Sequence, residues 1–261
     1  MMWDLKPPRI LVAVEDTECS AVLAYAARES QLRGVGVHLV HVAPVAFGGH
    51  ASGQSLALIN GELHELSRMI LAETAKQLET LIGDHDSRPV TTEVVHGTVI
   101  QTIVEESRHA ALVVLQHRGM GPDGRAPVLS VTSHVAARAH APVVAVPSGW
   151  TAPGPDGRPV VTVWLADDED VDGRLVDVAT EEAMRTRAVL RIVRTDDSEH
   201  GQHLPDTTLY VVGRRHAHLP LGHHLSREVR DLLRRSPVPV LVVNPAEKPK
   251  ERRDLSSIAV P

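Results

Sequence analysis

The sequence predicts an α/β protein made of two doubly wound parallel-sheet units, the second of them abridged. Three observations lead there. Short, uninterrupted apolar runs, the pattern of strands buried on both faces, alternate with segments of helical period. Five such runs and four helical segments fill the first half, as in a parallel sheet covered by helices on both sides. After residue 158 the same pattern restarts in shortened form.

The first strand is Ile10–Val14 (ILVAV), broken by Glu15, Asp16 and Thr17, which are placed to cap a helix. Val22, Leu23, Ala26 and Ala27 mark that helix and Gly34 ends it. Val35–Val42 is the second strand, closed by Pro44, and residues 46–60 read as a loop. Gly61–Ile82 reads as an amphipathic helix capped by Asn60, with Leu63, Leu66, Ile70, Leu78 and Leu81 as its apolar stripe. Thr91–Val95 is the third strand. His96-Gly97 turns the chain, and Thr98 with Gln101 forms a capping box for a helix facing inward through Ile100, Ile103 and Val104. Ala111–Leu115 is the fourth strand. A loop with glycines at 119, 121 and 124 leads to a helix capped by Ser130, carrying Val131, Val135 and Ala139. Pro142–Pro147 completes a unit spanning 8–148.

Residues 149–158, rich in Gly and Pro, read as a linker. The second unit, 159–246, holds strands at Val160–Leu165, Val189–Val193, Leu209–Val212 and Pro239–Asn244. Its helices are Val171–Met184 and Ser226–Arg235, the latter turning Val229, Leu232 and Leu233 inward. A helix, a strand and a further helix of the first unit have no counterpart in it. Residues 247–261 are charged and read as a disordered tail.

Composition narrows the function classes. The 261 residues are 43% hydrophobic and 23% charged but only 2% aromatic, so the core is aliphatic. Scarce aromatics and a net charge of −6 argue against nucleic-acid partners. The single cysteine, Cys19, excludes an internal disulfide or a cysteine zinc cluster. It lies near the amino end of the first helix, where the dipole can lower a thiol pKa, but a lone cysteine of this kind reads first as a small packing residue. Met1–Pro8 has no secretory pattern, and no apolar run is long enough to span a membrane, so a cytoplasmic protein without membrane contact is expected. No Gly-x-Ser-x-Gly elbow, His-Glu-x-x-His motif or Walker loop is present, so no catalytic set is assigned.

In a doubly wound sheet, ligands bind beyond the carboxyl ends of the strands where strand order reverses. The segments there include ILVAVEDT, VVHGTVIQTIVEES and QHRGMGPDGRAPVLSVT, the last followed by APVVAVP. In order and spacing, over about 140 residues, they resemble the universal stress protein family. The resemblance implies an adenine nucleotide alpha-hydrolase-like fold, often in tandem, and in many members an ATP site. The family's Gly-x2-Gly-x9-Gly-Ser/Thr signature falls on Gln116, Gly119, Leu129 and Ser130, so two of its glycines are replaced by bulky residues.

By this resemblance the nucleotide-binding positions are Ala13, Glu15, Val42, Gly97, Gln116, Arg118, Gly119, Leu129, Ser130, Val131 and Thr132. Glu15 would meet the adenine or ribose. Arg118 and Gly119 would approach the phosphates, and Ser130 and Thr132 would meet them at a helix amino end. The implied function is a stress-associated regulatory or interaction protein with a degenerate site for Mg-ATP. The alternative is a true ATP switch controlling association; slow ATP hydrolysis is a third. In the second unit His216 replaces a signature glycine and Ser226-Arg227 replaces Gly-Ser, which points to an architectural role. There, strands 143–147 and 240–244 would pair across the two units. His216, His218, His223 and His224 read as solvated loop histidines, with no carboxylate between 213 and 226.

Overall fold

The computed structural model describes residues 8–45, 53–83, 87–117, 130–154, 157–165, 169–194, 203–214 and 225–244. In chain order the elements are β1 (Arg9–Ala13), α1 (Ser20–Arg33), β2 (Val37–Ala43), α2 (Gly53–Ile82), β3 (Val90–His96) and α3 (Val99–Glu106). β4 (Ala110–His117), α4 (Val131–Arg138), β5 (Val143–Pro147), β6 (Val160–Leu165) and α5 (Glu169–Thr186) follow. β7 (Val189–Arg194), β8 (Thr207–Gly213), α6 (Arg227–Arg235) and β9 (Val240–Val243) complete the described elements.

Among the described residues the strands form one sheet in the order β3-β2-β1-β4-β5-β9-β8-β6-β7. Every pairing is parallel except β5 with β9, where Val143, Val144 and Ala145 lie antiparallel to Val242, Leu241 and Val240. The β7-β6-β8-β9 pairings repeat β2-β1-β4-β5, down to a register irregularity at Arg9/Ile10 that recurs at Val160/Val161. β3 has no counterpart in that repeat.

Aliphatic strands make both layers of the core. On one face Val12, Leu39, Val144 and Val211 pack against Leu23 of α1, Leu78 of α2 and Ala179 of α5. On the other, Leu11, Val113, Val143 and Val242 pack against Ile103 of α3, Val135 of α4 and Leu233 of α6. Each layer thus runs without interruption across the β5–β9 joint. α1 stops at Gly34, whose left-handed φ of 68° lets its N–H reach Ser30 O at 2.9 Å. No helix among the described residues is long and apolar enough to cross a membrane.

Several local expectations change. The N-cap of α1 is Cys19, with no side-chain cap bond, so Glu15, Asp16 and Thr17 do not cap it; Asp16 instead accepts Glu18 N–H at 2.8 Å within the preceding turn. α2 begins at Gly53, so Asn60 lies inside the helix and residues 53–60 are not loop. Its buried face is Ser67, Leu71, Thr74 and Leu78, while Leu66 and Leu81 are exposed. Thr98 is the N-cap of α3, yet its hydroxyl meets Gln101 Oε1 at 3.5 Å and makes no bond to the helix backbone. Trp150, within the segment read as a linker, is buried with its ring edge-on to Tyr25 at 5.2 Å. Arg118, Gly119, Gly121, Gly124, Leu129 and the histidines at 216, 218, 223 and 224 lie outside the described residues.

Candidate functional site

Strand order reverses between β1 and β4, and a cavity of about 430 Å³ opens there, beyond the carboxyl ends of β1, β2 and β4. That volume falls in the range of about 300–1,000 Å³ usual for small-molecule sites. Of the residues expected there, Ala13, Glu15, Val42, Gln116, Val131 and Thr132 line it. Gly97 and Ser130 do not.

Each wall has a local cause. Parallel pairing brings the ends of β1, β2 and β4 level, so Ala13, Val42 and Gln116 arrive together. α2 lies across the opening and supplies Leu63, Leu66, Ser67 and Ile70. α3 adds Val99 and Ile103, and α4 adds Val131 and Thr132. Exposed apolar Leu66, Val99 and Val131 are therefore the cavity's own walls. The lining is mainly apolar, with Glu15, His41, Ser67, Gln116 and Thr132 as its polar points.

The polar groups are held in place. Gln116 stands where the family signature has glycine, and its Nε2 turns to donate to Glu18 O at 3.1 Å, tying the end of β4 to the turn before α1. Thr132 Oγ1 donates to Gln116 O at 3.2 Å, fixing the first turn of α4 against the same strand end. Ser130 caps α4 by accepting Ser133 N–H at 3.2 Å, as its sequence position predicts. Ser130's role is thus to set the entry of the helix whose next two residues form the wall.

His41 was not anticipated as a site residue. It donates from Nδ1 to Val14 O at 3.0 Å, which leaves Nε2 as the unprotonated nitrogen, and burial pushes its pKa down. The only sign of it in the sequence is a polar residue within the apolar run Val37–Ala43. Cys19 is buried at the start of α1, and burial raises its thiol pKa more than the Thr74 hydrogen bond lowers it. Its burial agrees with the packing role and not with a reactive thiol at the helix amino end.

Gly97 reverses the chain between β3 and α3. A side chain there would bring a Cβ within 3.2 Å of Thr102 Oγ1, so the residue shapes the turn that delivers Val99 to the cavity.

Comparison with known proteins agrees with this architecture. A solved universal stress protein from Archaeoglobus fulgidus covers 94% of this chain, and 99% of itself, with a TM-score of 0.65 at 16% identity, a likeness of fold. Another from Archaeoglobus fulgidus, solved in complex with dAMP, covers 54% of this chain and 98% of itself at 21% identity and a TM-score of 0.36. A universal stress protein of Mycobacterium tuberculosis is 28% identical over 188 residues, 67% of this chain. The chain spans 59% of the length of that relative. The family model described as the universal stress protein family matches residues 7–147, the stretch that contains β1–β5 and the cavity. The chain belongs to the universal stress protein family.

Proposed function

We propose that the protein is a stress-associated regulatory and interaction protein whose cavity holds the base and sugar of an adenine nucleotide, beside a degenerate phosphate segment. The cavity carries this reading: it is nucleotide-sized, sits at the switch in strand order, and combines apolar walls with a few fixed polar points. Val42, Ile70 and Val131 suit the faces of a base, and the Glu15 carboxylate suits ribose hydroxyls or an exocyclic amine. The N–H groups of Val131 and Thr132, which open α4, suit a phosphate. Arg118, Gly119, Ser130 and Thr132 would hold that end of Mg-ATP, whereas Leu129 in place of glycine crowds it. The same reading divides the chain into a nucleotide-holding unit at 8–148, a linker at 149–158 and an abridged architectural unit at 159–246, in a cytoplasmic protein.

Thermal unfolding with adenosine, AMP and Mg-ATP tests the proposal. Ligand at ten times its Kd stabilises by about 1.4 kcal/mol. For a chain of this size that raises Tm by roughly 3–6 °C. Similar shifts for all three ligands are expected, and Val131→Trp, which fills the cavity from its rim, should remove them. Absence of any shift, with no 260 nm-absorbing ligand in the purified protein, would refute nucleotide binding. A shift given by Mg-ATP alone and lost in Arg118→Ala would replace the degenerate site with the ATP-switch alternative.

A further inference from the structure

Near the start of β2, away from the cavity at its end, three ligand-type side chains converge. His38 of β2, Glu93 of β3 and Glu106 at the end of α3 bring donor atoms within 4.8 Å of one another. The register explains part of this. His38 pairs with Thr91 and Val40 with Glu93, so His38 and Glu93 are diagonal neighbours on one face of the sheet.

We propose that His38 Nε2 and the carboxylates of Glu93 and Glu106 bind a divalent transition cation of the zinc type. One distance already matches: two ligands on a tetrahedral zinc lie roughly 3.4 Å apart. His38 Nε2 stands 3.3 Å from Glu93 Oε2. The ring is also aimed. Its Nδ1 is held by Thr91 Oγ1 at 2.8 Å, and Thr91 Oγ1 in turn accepts from Arg9 Nη1 at 2.8 Å. A fixed second nitrogen is what orients a metal-binding imidazole.

The charges allow a cation: Arg9 opposes one, but two carboxylates outweigh a single guanidinium. One imidazole with two carboxylates suits zinc better than magnesium, which prefers oxygen alone. Glu93 is half exposed, so water reaches the cation and can complete its shell. This site rests on residues outside the proposed nucleotide cavity, and its occupation would clamp edge strand β3 to α3.

The full chain, stripped with a chelator, is titrated with zinc alone against a chromophoric competitor at pH 7.5. One tight equivalent is expected. Even changes to groups behind the ligands weaken metal sites by about 10–100-fold, so His38→Ala, Glu93→Gln and Glu106→Gln should each weaken that equivalent by more than about tenfold. Glu93→Gln is the control for folding, because its side chain is half in solvent and keeps its shape. Alanine at His216, His218, His223 and His224 should leave the tight equivalent in place. A stripped chain that takes up no zinc, or a Glu93→Gln chain that binds it as tightly as the parent, overturns the site.

Discussion

Arg33→Met should be among the most damaging single changes outside the cavity. Arg33 Nε donates to Glu29 Oε2 at 2.8 Å, and its Nη2 to Glu182 Oε1, joining α1 to α5 across 149 residues of sequence. The two carboxylate side chains are 1% and 5% exposed, and the guanidinium side chain 17%. Burial raises the Glu29 pKa despite the guanidinium, so the carboxylate depends on its cation. Removing one partner of a buried ion pair costs about 3–5 kcal/mol. Arg28, 3.9 Å from Glu29, and Arg185, 2.7 Å from Glu182, remain and offset part of it. The lower figure, about 3 kcal/mol, is therefore expected, a fall in Tm of roughly 6–12 °C. The sign with pH follows. A carboxyl whose folded pKa lies above its unfolded one contributes stability below the unfolded pKa and loses it as pH rises through the folded pKa. Without Arg33 the Glu29 pKa rises further, so the deficit against the parent should be smaller at pH 5 than at pH 8. Circular dichroism melts of parent, Arg33→Met and Arg33→Met with Glu29→Gln measure this, and the double variant should recover part of the loss. A deficit under about 1 kcal/mol at pH 8, or one that is the same at both pH values, refutes the reasoning.

Other changes probe the strand ends and the core. Gly36→Ala puts a Cβ 2.6 Å from the backbone oxygen of Pro89 and should cost about 1–3 kcal/mol, read as a lower urea midpoint at unchanged slope. Trp150→Ala removes a buried ring edge-on to Tyr25 and should cost about 3–5 kcal/mol in the same assay. Burial lowers the His41 and His117 pKa values from 6.5, so their contribution is present above the unfolded value and is lost as pH falls through the folded ones. Melts from pH 7.5 to 5 should show falling Tm, with a shallower slope in His117→Gln.

The buried strands were legible because a strand covered on both faces must be apolar at every residue, as in Ile10–Val12 and Leu112–Leu115. Helix α2 was legible over Gly61–Ile82, but its buried face only in part, because that face includes Ser67 and Thr74. Each hydroxyl donates to its own helix, to Leu63 O at 2.7 Å and Ile70 O at 2.8 Å, and so enters the core already satisfied. Counting apolar residues misses such positions and favours Leu66 instead, which faces the cavity. Asn60-Gly61 resembled a start signal for the same helix, but neighbouring turns carry it through. In the site, the positions at strand ends were readable from the parallel topology. The contributions of α2 and of His41 were not, since they depend on where a helix crosses the opening.

The β5–β9 joint raises a separate physical question, because burial alone does not fix its register. Three residue pairs join the edges, and a slip of two residues would return the same faces to the core while moving the strands by roughly 7 Å. Polar contacts at the two ends oppose such a slip. Arg214, at the end of β8 and fully buried, donates from Nη1 to Ala139 O at 2.8 Å, just past α4. Asn244 Nδ2 donates at 2.9 Å to Ala139 O and His140 O. At the opposite end His117 of β4 hydrogen-bonds the backbone of Arg234 in the last turn of α6. Each side thus reaches the carboxyl end of the helix leading into the other side's edge strand, where carbonyls lack helical partners. The two ends are not chemically alike. Burial lowers the Arg214 pKa only to about 10, so it stays charged at neutral pH, whereas the His117 pKa is lowered and its ring is neutral there. A two-residue slip would strip Arg214 and Asn244 of these carbonyls and leave a buried cation unsolvated, at a cost of several kcal/mol. The apolar strands make the joint favourable, and the polar ends restrict it to one register.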